Sequence, residues 1–106
     1  MSRVLAAVLL ALPAMAAQPR DMKVFFQHSC ASCHGPEGNA RSFTGAKLPG
    51  RAFTDARWQS RMTDSQLVKS ILKGKSAMPA FAGMLSEQEA LQLVTEVVRP
   101  FGARKH

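Results

Sequence analysis

The sequence Cys30-Ala31-Ser32-Cys33-His34 decides the fold of this chain. Two thiols separated by two residues can lie on one side of a turn, at the separation that the two vinyl groups of a haem require. The imidazole that follows them can then face the haem iron. We therefore predict one haem c, bound covalently through thioethers to Cys30 and Cys33 and ligated at its iron by His34.

Other functions of a cysteine pair fit this sequence less well. A disulfide between Cys30 and Cys33 would close a very short loop and would gain little loop entropy. A thioredoxin-like redox site needs a β-α-β pattern, and the sequence shows no strand pattern. A zinc site needs about four ligands. Only His28 and His106 remain as further nitrogen donors.

Residues 1–17, MSRVLAAVLLALPAMAA, have the composition of an export leader. Arg3 precedes an apolar run, and small residues at its end suit a leader peptidase. The run is shorter than the roughly 20 residues of a membrane span, so no stable span is expected. We predict a signal peptide cleaved after Ala16 or Ala17, a single haem-binding domain over residues 18–106, and a periplasmic location.

The composition is that of a single small domain. The chain has 106 residues, of which 46% are apolar. This length excludes a Rossmann enzyme or a two-domain catalyst. The net charge is +7, or +6 once Arg3 is removed, which predicts a redox partner with an acidic docking surface, with solubility alone as the alternative. Nucleic-acid binding is not expected, because the chain carries an export leader and Trp58 as its single tryptophan.

The first part of the domain predicts two helices separated by a long loop. Asp21 can cap a helix over about Asp21–Ala31, in which apolar residues recur at helical spacing. Residues 35–57 are rich in Gly, Pro and Arg and show no apolar period, so we expect a loop that wraps the haem. Thr63 begins a capping box, which predicts a helix over Asp64–Lys73.

A last helix is predicted near the C-terminus. Ser86 and Glu89 form a second capping box, and an apolar stripe at helical spacing follows it. Pro100 should end this helix near Val98 or Arg99, because proline lacks an N–H and crowds the preceding turn. Since no strand pattern interrupts these elements, the predicted fold class is all-α.

A six-coordinate iron needs a second axial ligand besides the histidine of the motif. The candidate donors are Met22, Met62, Met78, Met84, His28 and His106. Met78 is favoured, because it lies in a loop between two capped helices and Pro79 biases its backbone towards an extended conformation. Met84 is the second candidate, just before the last helix. The other methionines suit packing positions.

Most of the chain, from about Val24 to Phe101, resembles the small monohaem class I cytochromes c. The resemblance rests on Phe26, CASCHG over residues 30–35, Leu48, Gly50, Gly74, Met78-Pro79 and Leu85-Ser86-x-x-Glu89. It implies a class I cytochrome c-like fold, with three to four helices wrapped around one covalently bound haem. It also implies His34 and Met78 as axial ligands and electron transfer as the activity.

The resemblance implies supporting residues as well. Leu48 would pack on the haem. Arg51 and Trp58 would donate to its propionates, with a solvated arginine and a core tryptophan as the alternatives. In the family the axial histidine often donates to the proline carbonyl of a P-x-L-x-G segment, and Ala46 holds that position here. The carbonyl that accepts from His34 therefore stays open.

Two positions depart from the family pattern. Met22 stands where the family often has a glycine at a helix crossing, and Glu96-Val97-Val98 occupies a region that often holds an aromatic residue. The helix crossing is therefore expected to be looser or shifted. Neither position is a haem ligand.

These observations favour an exported carrier of single electrons, without catalytic residues, that acts as a monomer. The first alternative is a haem-bearing subunit of a periplasmic dehydrogenase, such as an enzyme of sulfur compounds or a molybdenum enzyme. The second is a sensor of a gas or another ligand that displaces Met78. The sequence alone leaves these alternatives open.

Overall fold

The computed structural model of the chain describes residues 19–103 and Ala6. Apart from Ala6, the predicted leader with its cleavage site lies outside the described residues, as does His106. Among the helices that are described, none combines the length and the apolar character needed to cross a bilayer.

The predicted first helix is present, with a break at Cys30. Helix α1 (Met22–Ser29) begins after Asp21, whose carboxylate accepts the backbone N–H of Lys23 at 2.8 Å. Helix α2 (Ala31–His34) follows directly and ends at a glycine. Because Cys33 and His34 lie on this second short helix and Cys30 joins it to α1, the motif is fixed relative to α1.

The predicted loop is irregular over most of its length and contains one helix that the pattern did not predict. Helix α3 (Ala56–Arg61) begins after Asp55, whose carboxylate accepts the backbone N–H groups of Arg57 at 3.0 Å and Trp58 at 3.1 Å. The loop, predicted to end at residue 57, therefore ends two residues earlier, at Asp55. This cap sets the position of Trp58.

Helix α4 (Asp64–Lys73) has the bounds that its capping box predicts. The hydroxyl of Thr63 accepts the N–H of Gln66 at 3.1 Å, and the Gln66 side chain accepts the N–H of Thr63 at 2.9 Å. Leu67 and Ile71 on its inner face are buried.

The prediction that the last helix ends near Val98 or Arg99 is wrong. Helix α5 (Glu87–Leu93) continues through a π-helical segment (Val94–Val98) into helix α6 (Arg99–Gly102). The N–H of Arg99 reaches the carbonyl of Val94 instead of the residue four before it. This wider turn makes room for the Pro100 ring, so the helix passes the proline.

The helices pack around one apolar core. Helix α1 lies against α5 and the π-helical segment, and α4 lies against the same two elements. Met22 is only 1% exposed in this core, so it takes the place of the family's glycine as a packing residue. Phe101 supplies the aromatic side chain that Glu96-Val97-Val98 lacks, with its ring centroid 5.3 Å from that of Phe26. Over residues 19–103 the observed fold is all-α, with two isolated β-bridges in loops.

Candidate functional site

A cavity of about 450 Å³ opens between the attachment motif, α3, α4 and the loop after α4. Cys30, Cys33, His34 and Met78, the four residues of the predicted haem site, all line it. Most of the remaining wall is apolar or aromatic and includes Phe26, Phe53, Trp58, Met62, Leu67, Ile71, Phe81, Leu93 and Val98. The structure thus brings together residues that are far apart in the sequence.

The two cysteines of the motif are free thiols in different surroundings. Cys30 is half-buried and Cys33 is exposed. Burial raises the pKa of the Cys30 thiol to about 11, and the neighbouring Cys33 adds to the increase. Cys30 therefore stays protonated near neutral pH. Both sulfurs belong to the cavity wall, where they can form thioethers with a group inside the cavity.

The imidazole of His34 is held by the loop that follows the motif. Its Nδ1 atom lies 2.9 Å from the carbonyl oxygen of Arg51. Since a carbonyl can only accept, Nδ1 carries the proton and Nε2 keeps a free lone pair for a metal. Burial lowers the pKa of His34, against a smaller opposing effect of this hydrogen bond, and so favours the neutral ring. The acceptor is thus Arg51, five residues beyond the position of Ala46.

Phe53 and Gly50 complete the support of His34. The Phe53 ring stacks on the imidazole, with centroids 4.4 Å apart and planes 17° apart. The N–H of Gly50 donates to the carbonyl oxygen of Cys33 at 2.7 Å. A Cβ at position 50 would collide with that carbonyl and lie 2.8 Å from Nδ1 of His34. Only glycine allows the loop to approach the motif this closely.

Met78 is half-buried in a tight turn after α4. Lys75 and Met78 exchange two backbone hydrogen bonds of 3.2 and 2.9 Å, and Ser76 between them has a left-handed φ of 54°. Gly74 precedes this turn with a φ of 76°, and a Cβ there would lie 2.7 Å from the Met78 carbonyl oxygen. Gly74 therefore ends α4 and also allows the methionine turn to fold back.

The segment after Met78 is fastened to the core from two sides. The N–H of Phe81 donates to the carbonyl of Ile71 at 2.9 Å, and the Phe81 ring meets Phe25 edge-on at 6.0 Å between centroids. Met84 lies further along, 55% exposed, and it does not line the cavity. The geometry thus favours Met78 over Met84 as a donor into the cavity.

Arg20 also fastens this segment. Its guanidinium lies over the Phe25 ring at 5.6 Å and donates to the carbonyl of Met84 at 2.5 Å. It also donates twice to Glu89, at 2.8 and 2.9 Å. The segment just before α1 is thereby joined to the start of α5.

The other predicted site residues lie in the cavity wall, in a neighbouring groove or on the surface of α1. Trp58 is half-buried in the cavity wall, and the Arg51 guanidinium lies 5.6 Å from the centre of its ring. Arg51 lines both this cavity and a neighbouring polar groove. Leu48 lines only the groove. His28 is exposed on α1.

Two supports of the site had no clear signal in the sequence. A backbone acceptor such as the Arg51 carbonyl can come from any residue type, so no motif marks it. Phe53 did have a weak signal, since it is an isolated aromatic residue in a loop poor in apolar residues.

The residues around the cavity are compatible with a haem. The cavity volume of about 450 Å³ lies within the range of roughly 300–1,000 Å³ that is typical of ligand clefts. Its wall offers two thiols for attachment, a neutral imidazole and a thioether, and imidazole with thioether is the donor set of low-spin cytochromes. The aromatic and aliphatic side chains that make up most of the wall suit the apolar faces of a haem ring.

Known proteins are similar to this chain in sequence and in structure. Residues 17–95 match the family model described as cytochrome c oxidase, cbb3-type, subunit III. A cytochrome c6 of Rippkaea orientalis (strain PCC 8801 / RF-1) is 30% identical over 92 residues, 87% of this chain and 79% of that protein. The solved structure of the KustC0563 c-type cytochrome matches with a TM-score of 0.66 and 31% identity, over 77% of this chain and 98% of that one. A mutant of the same protein gives 0.64 and 32%, over 77% and 99%.

Proposed function

Because the chain belongs to the small class I c-type cytochromes, which carry one covalently bound haem c, we propose that it is a periplasmic carrier of single electrons. Cys30 and Cys33 form the two thioethers, and His34 and Met78 are the axial ligands of the iron. The observation that carries the proposal is that these four side chains line one cavity.

The residues of the site have separate roles. When bound, the haem supplies an iron that alternates between the ferric and ferrous states. Arg51 holds His34 in the tautomer whose Nε2 is free, and Phe53 fixes the plane of the ring. The turn that holds Met78 presents a soft thioether, which favours the reduced metal. With both axial positions filled by the protein, no position remains for a substrate, so we assign no catalytic residue.

The periplasmic location rests on the leader pattern of residues 1–17. Its charged start, apolar centre and small residues before the expected cleavage site are the features of an exported protein. N-terminal sequencing of the mature protein from a periplasmic fraction tests this part. A start at Ala17 or Gln18 is expected, and a chain that keeps residue 1 would contradict it.

Replacement of the attachment residues tests the site. In Cys30→Ala or Cys33→Ala, at most one thioether can form, so the pyridine haemochrome band should shift to longer wavelength. His34→Ala should block stable holoprotein. Ser32→Ala is the control, because Ser32 is exposed between the two cysteines. An unshifted two-thioether spectrum in either cysteine variant would overturn the assignment.

The second candidate function is that of a haem subunit bound to a larger oxidoreductase. It is favoured by the description of the matching family model, which names a subunit of an oxidase. Gel filtration of the protein from native extracts separates the two functions. A carrier should elute at the size of a free monomer, whereas a subunit should elute with its enzyme.

A ligand sensor is distinguished by optical spectroscopy. Ferric haem with histidine and methionine ligands shows a weak near-infrared band. We expect this band in the wild-type protein, and its absence would favour an open iron.

A further inference from the structure

Phe43 is the most exposed large apolar side chain in the described part of the molecule. It is 90% exposed, whereas Met84, Val24 and Leu91 are 55%, 52% and 44% exposed. A single apolar side chain at a protein surface is ordinary and needs no explanation by itself. The exposure of Phe43 is informative because its loop is a closed turn and because a groove lies beside that turn.

The loop around Phe43 is a closed turn. Arg41 and Lys47 form an isolated β-bridge at its base. Within it, the carbonyl of Ser42 accepts the N–H of Gly45 at 2.9 Å, and the N–H of Ser42 donates to the carbonyl of Ala46 at 2.9 Å. These bonds place Phe43 at the tip of the turn.

An open groove of about 530 Å³ lies beside this turn, lined by residues 39–41 and 47–52. We call it the cationic groove, because its described lining includes Arg41, Lys47 and Arg51 and no carboxylate. Three cations at a concave surface attract a negatively charged, convex surface.

The cationic groove is joined directly to the segment that holds His34. The N–H of Ala40 donates to the carbonyl of His34 at 2.7 Å, and the N–H of Leu48 donates to the carbonyl of Ala40 at 2.7 Å. Arg51 lines both the groove and the haem cavity. A molecule seated in the groove therefore lies against the residues that support the axial histidine.

We propose that Phe43 and the cationic groove form the docking surface for an acidic redox protein, with Phe43 as the apolar anchor of the contact. This inference rests on the proposed electron-transfer function and adds the place and chemistry of the encounter. Interfaces of this kind combine an aromatic anchor with charged residues at the rim.

The concave shape favours a protein over a membrane surface. A flat anionic bilayer could bury the Phe43 ring, but it would leave the groove beside the turn unfilled. A convex acidic protein surface can contact the ring and the three cations together. Charge complementarity and shape thus point to the same class of partner.

Titration of the mature holoprotein with a purified acidic flavodoxin tests the docking surface. Oxidised flavodoxin is used in calorimetry, so that binding is measured without electron transfer. Phe43→Ser should raise the Kd about tenfold, which is the loss of affinity expected for an anchor residue. Lys47→Gln should raise the Kd about fivefold at low ionic strength and less at high salt, because surface charges are then screened.

Matched variants serve as controls for the two effects. Leu91→Ser removes another exposed apolar side chain, on α5, and Lys23→Gln removes another exposed cation, on α1. Both should keep the Kd within twofold of the wild-type value. Equal losses in Phe43→Ser and Leu91→Ser would overturn the anchor, and undetectable binding by the wild-type protein would overturn the docking surface.

Three further measurements distinguish a protein partner from a membrane contact and from a failure of the haem site itself. Binding to phosphatidylglycerol vesicles that Phe43→Ser abolishes, with flavodoxin binding unchanged, would overturn the proposal in favour of a membrane contact. Reduction by ascorbate should be the same in all variants, because it does not need the docking surface. A wild-type protein that lacks the histidine–methionine spectrum would instead contradict the proposed function.

Discussion

The Nδ1 atom of His34 lies 2.9 Å from the carbonyl oxygen of Arg51. This contact fixes the tautomer of the ring, because the carbonyl can only accept a hydrogen bond, so Nδ1 carries the proton. It exists because Gly50 allows the backbone to pass close to the attachment motif, with its N–H on the Cys33 carbonyl. The orientation of His34, the proposed axial ligand, therefore depends on a residue without a side chain.

Gly50→Ala should disturb the axial histidine without changing any ligand. The new Cβ would lie 2.8 Å from Nδ1 of His34, so the loop must move away. We expect a loss of about 1–3 kcal/mol in the free energy of unfolding, the usual cost of overpacking. The yield of holoprotein should fall as well. Denaturant unfolding followed by haem absorbance measures both.

Gly83→Ala is the control for this substitution, because a Cβ at Gly83 would have no neighbour within 4 Å. Its stability should stay within about 0.5 kcal/mol of the wild-type value, as for other surface changes. Equal stability of Gly50→Ala and Gly83→Ala would show that the folded state does not need the close approach of the Gly50 loop to the attachment motif.

Gly74→Ala should weaken the methionine side of the site. Its φ of 76° costs a residue with a side chain about 1–2 kcal/mol, and the Cβ would lie 2.7 Å from the Met78 carbonyl oxygen. The turn that presents Met78 should shift. We expect the near-infrared band of the ferric protein to weaken while both thioethers remain. An unchanged band together with reduced stability would mean that Met78 does not depend on this turn.

The ion pair between Arg20 and Glu89 predicts a specific dependence on pH. Hydrogen bonds from the Arg20 side chain, and then from the backbone of Ser86, lower the pKa of Glu89 from an ordinary 4.5 to about 2. A carboxylate with a lowered pKa stabilises the folded chain fully above its ordinary pKa. This contribution is lost as the pH falls through about 2.

Glu89→Gln isolates this contribution, because glutamine can still cap the helix as the third residue of the capping box. The wild-type protein should be more stable than the variant near pH 6. The difference should shrink below pH 4.5 and vanish near pH 2. Glu87→Gln is the control, since it removes one charge from the same helical turn but leaves the partner of Arg20 in place. A difference between wild type and Glu89→Gln that stays constant down to pH 2 would contradict the role of the ion pair.

Local signals in the sequence predict part of this fold with accuracy. Helix α4 has its predicted bounds, because the capping box before it and Gly74 after it act within a few residues. Helix α3 was missed because it has only six residues and no periodic apolar face. Its position depends on the cap at Asp55 and on contacts with the rest of the fold.

The end of the last helix shows how tertiary contacts override a local rule. Pro100 removes a helical N–H, which predicts an end to the helix. In the structure, the Gln59 side chain donates to the carbonyl of Val98 at 2.8 Å. Arg99 donates to Asp64 at 2.8 Å and to the carbonyl of Met62 at 2.6 Å. These bonds hold the two residues before the proline in a helical conformation. Their partners are more than 30 positions away, so a local sequence pattern does not reveal them.

Met78→His tests the assignment of the sixth ligand. Imidazole favours ferric iron more strongly than a thioether does, so the reduction potential should fall. Ligand changes span about 0.8 V across haem proteins, and a decrease on the order of 0.1–0.3 V is expected. The protein should stay low-spin and lose its near-infrared band. Both thioethers and His34 still hold the haem, so folding should persist.

Met84→His is the matched control, because Met84 is 55% exposed and lies outside the cavity wall. Its potential and spectrum should equal those of the wild-type protein. A large change in Met84→His, with none in Met78→His, would show that Met84 is the ligand. The segment after Gly74 would then have to move by six residues relative to the cavity, which would require breaking the bond from the Phe81 N–H to the Ile71 carbonyl. That bond and the place of Met78 in the cavity wall are the structural reasons for assigning Met78.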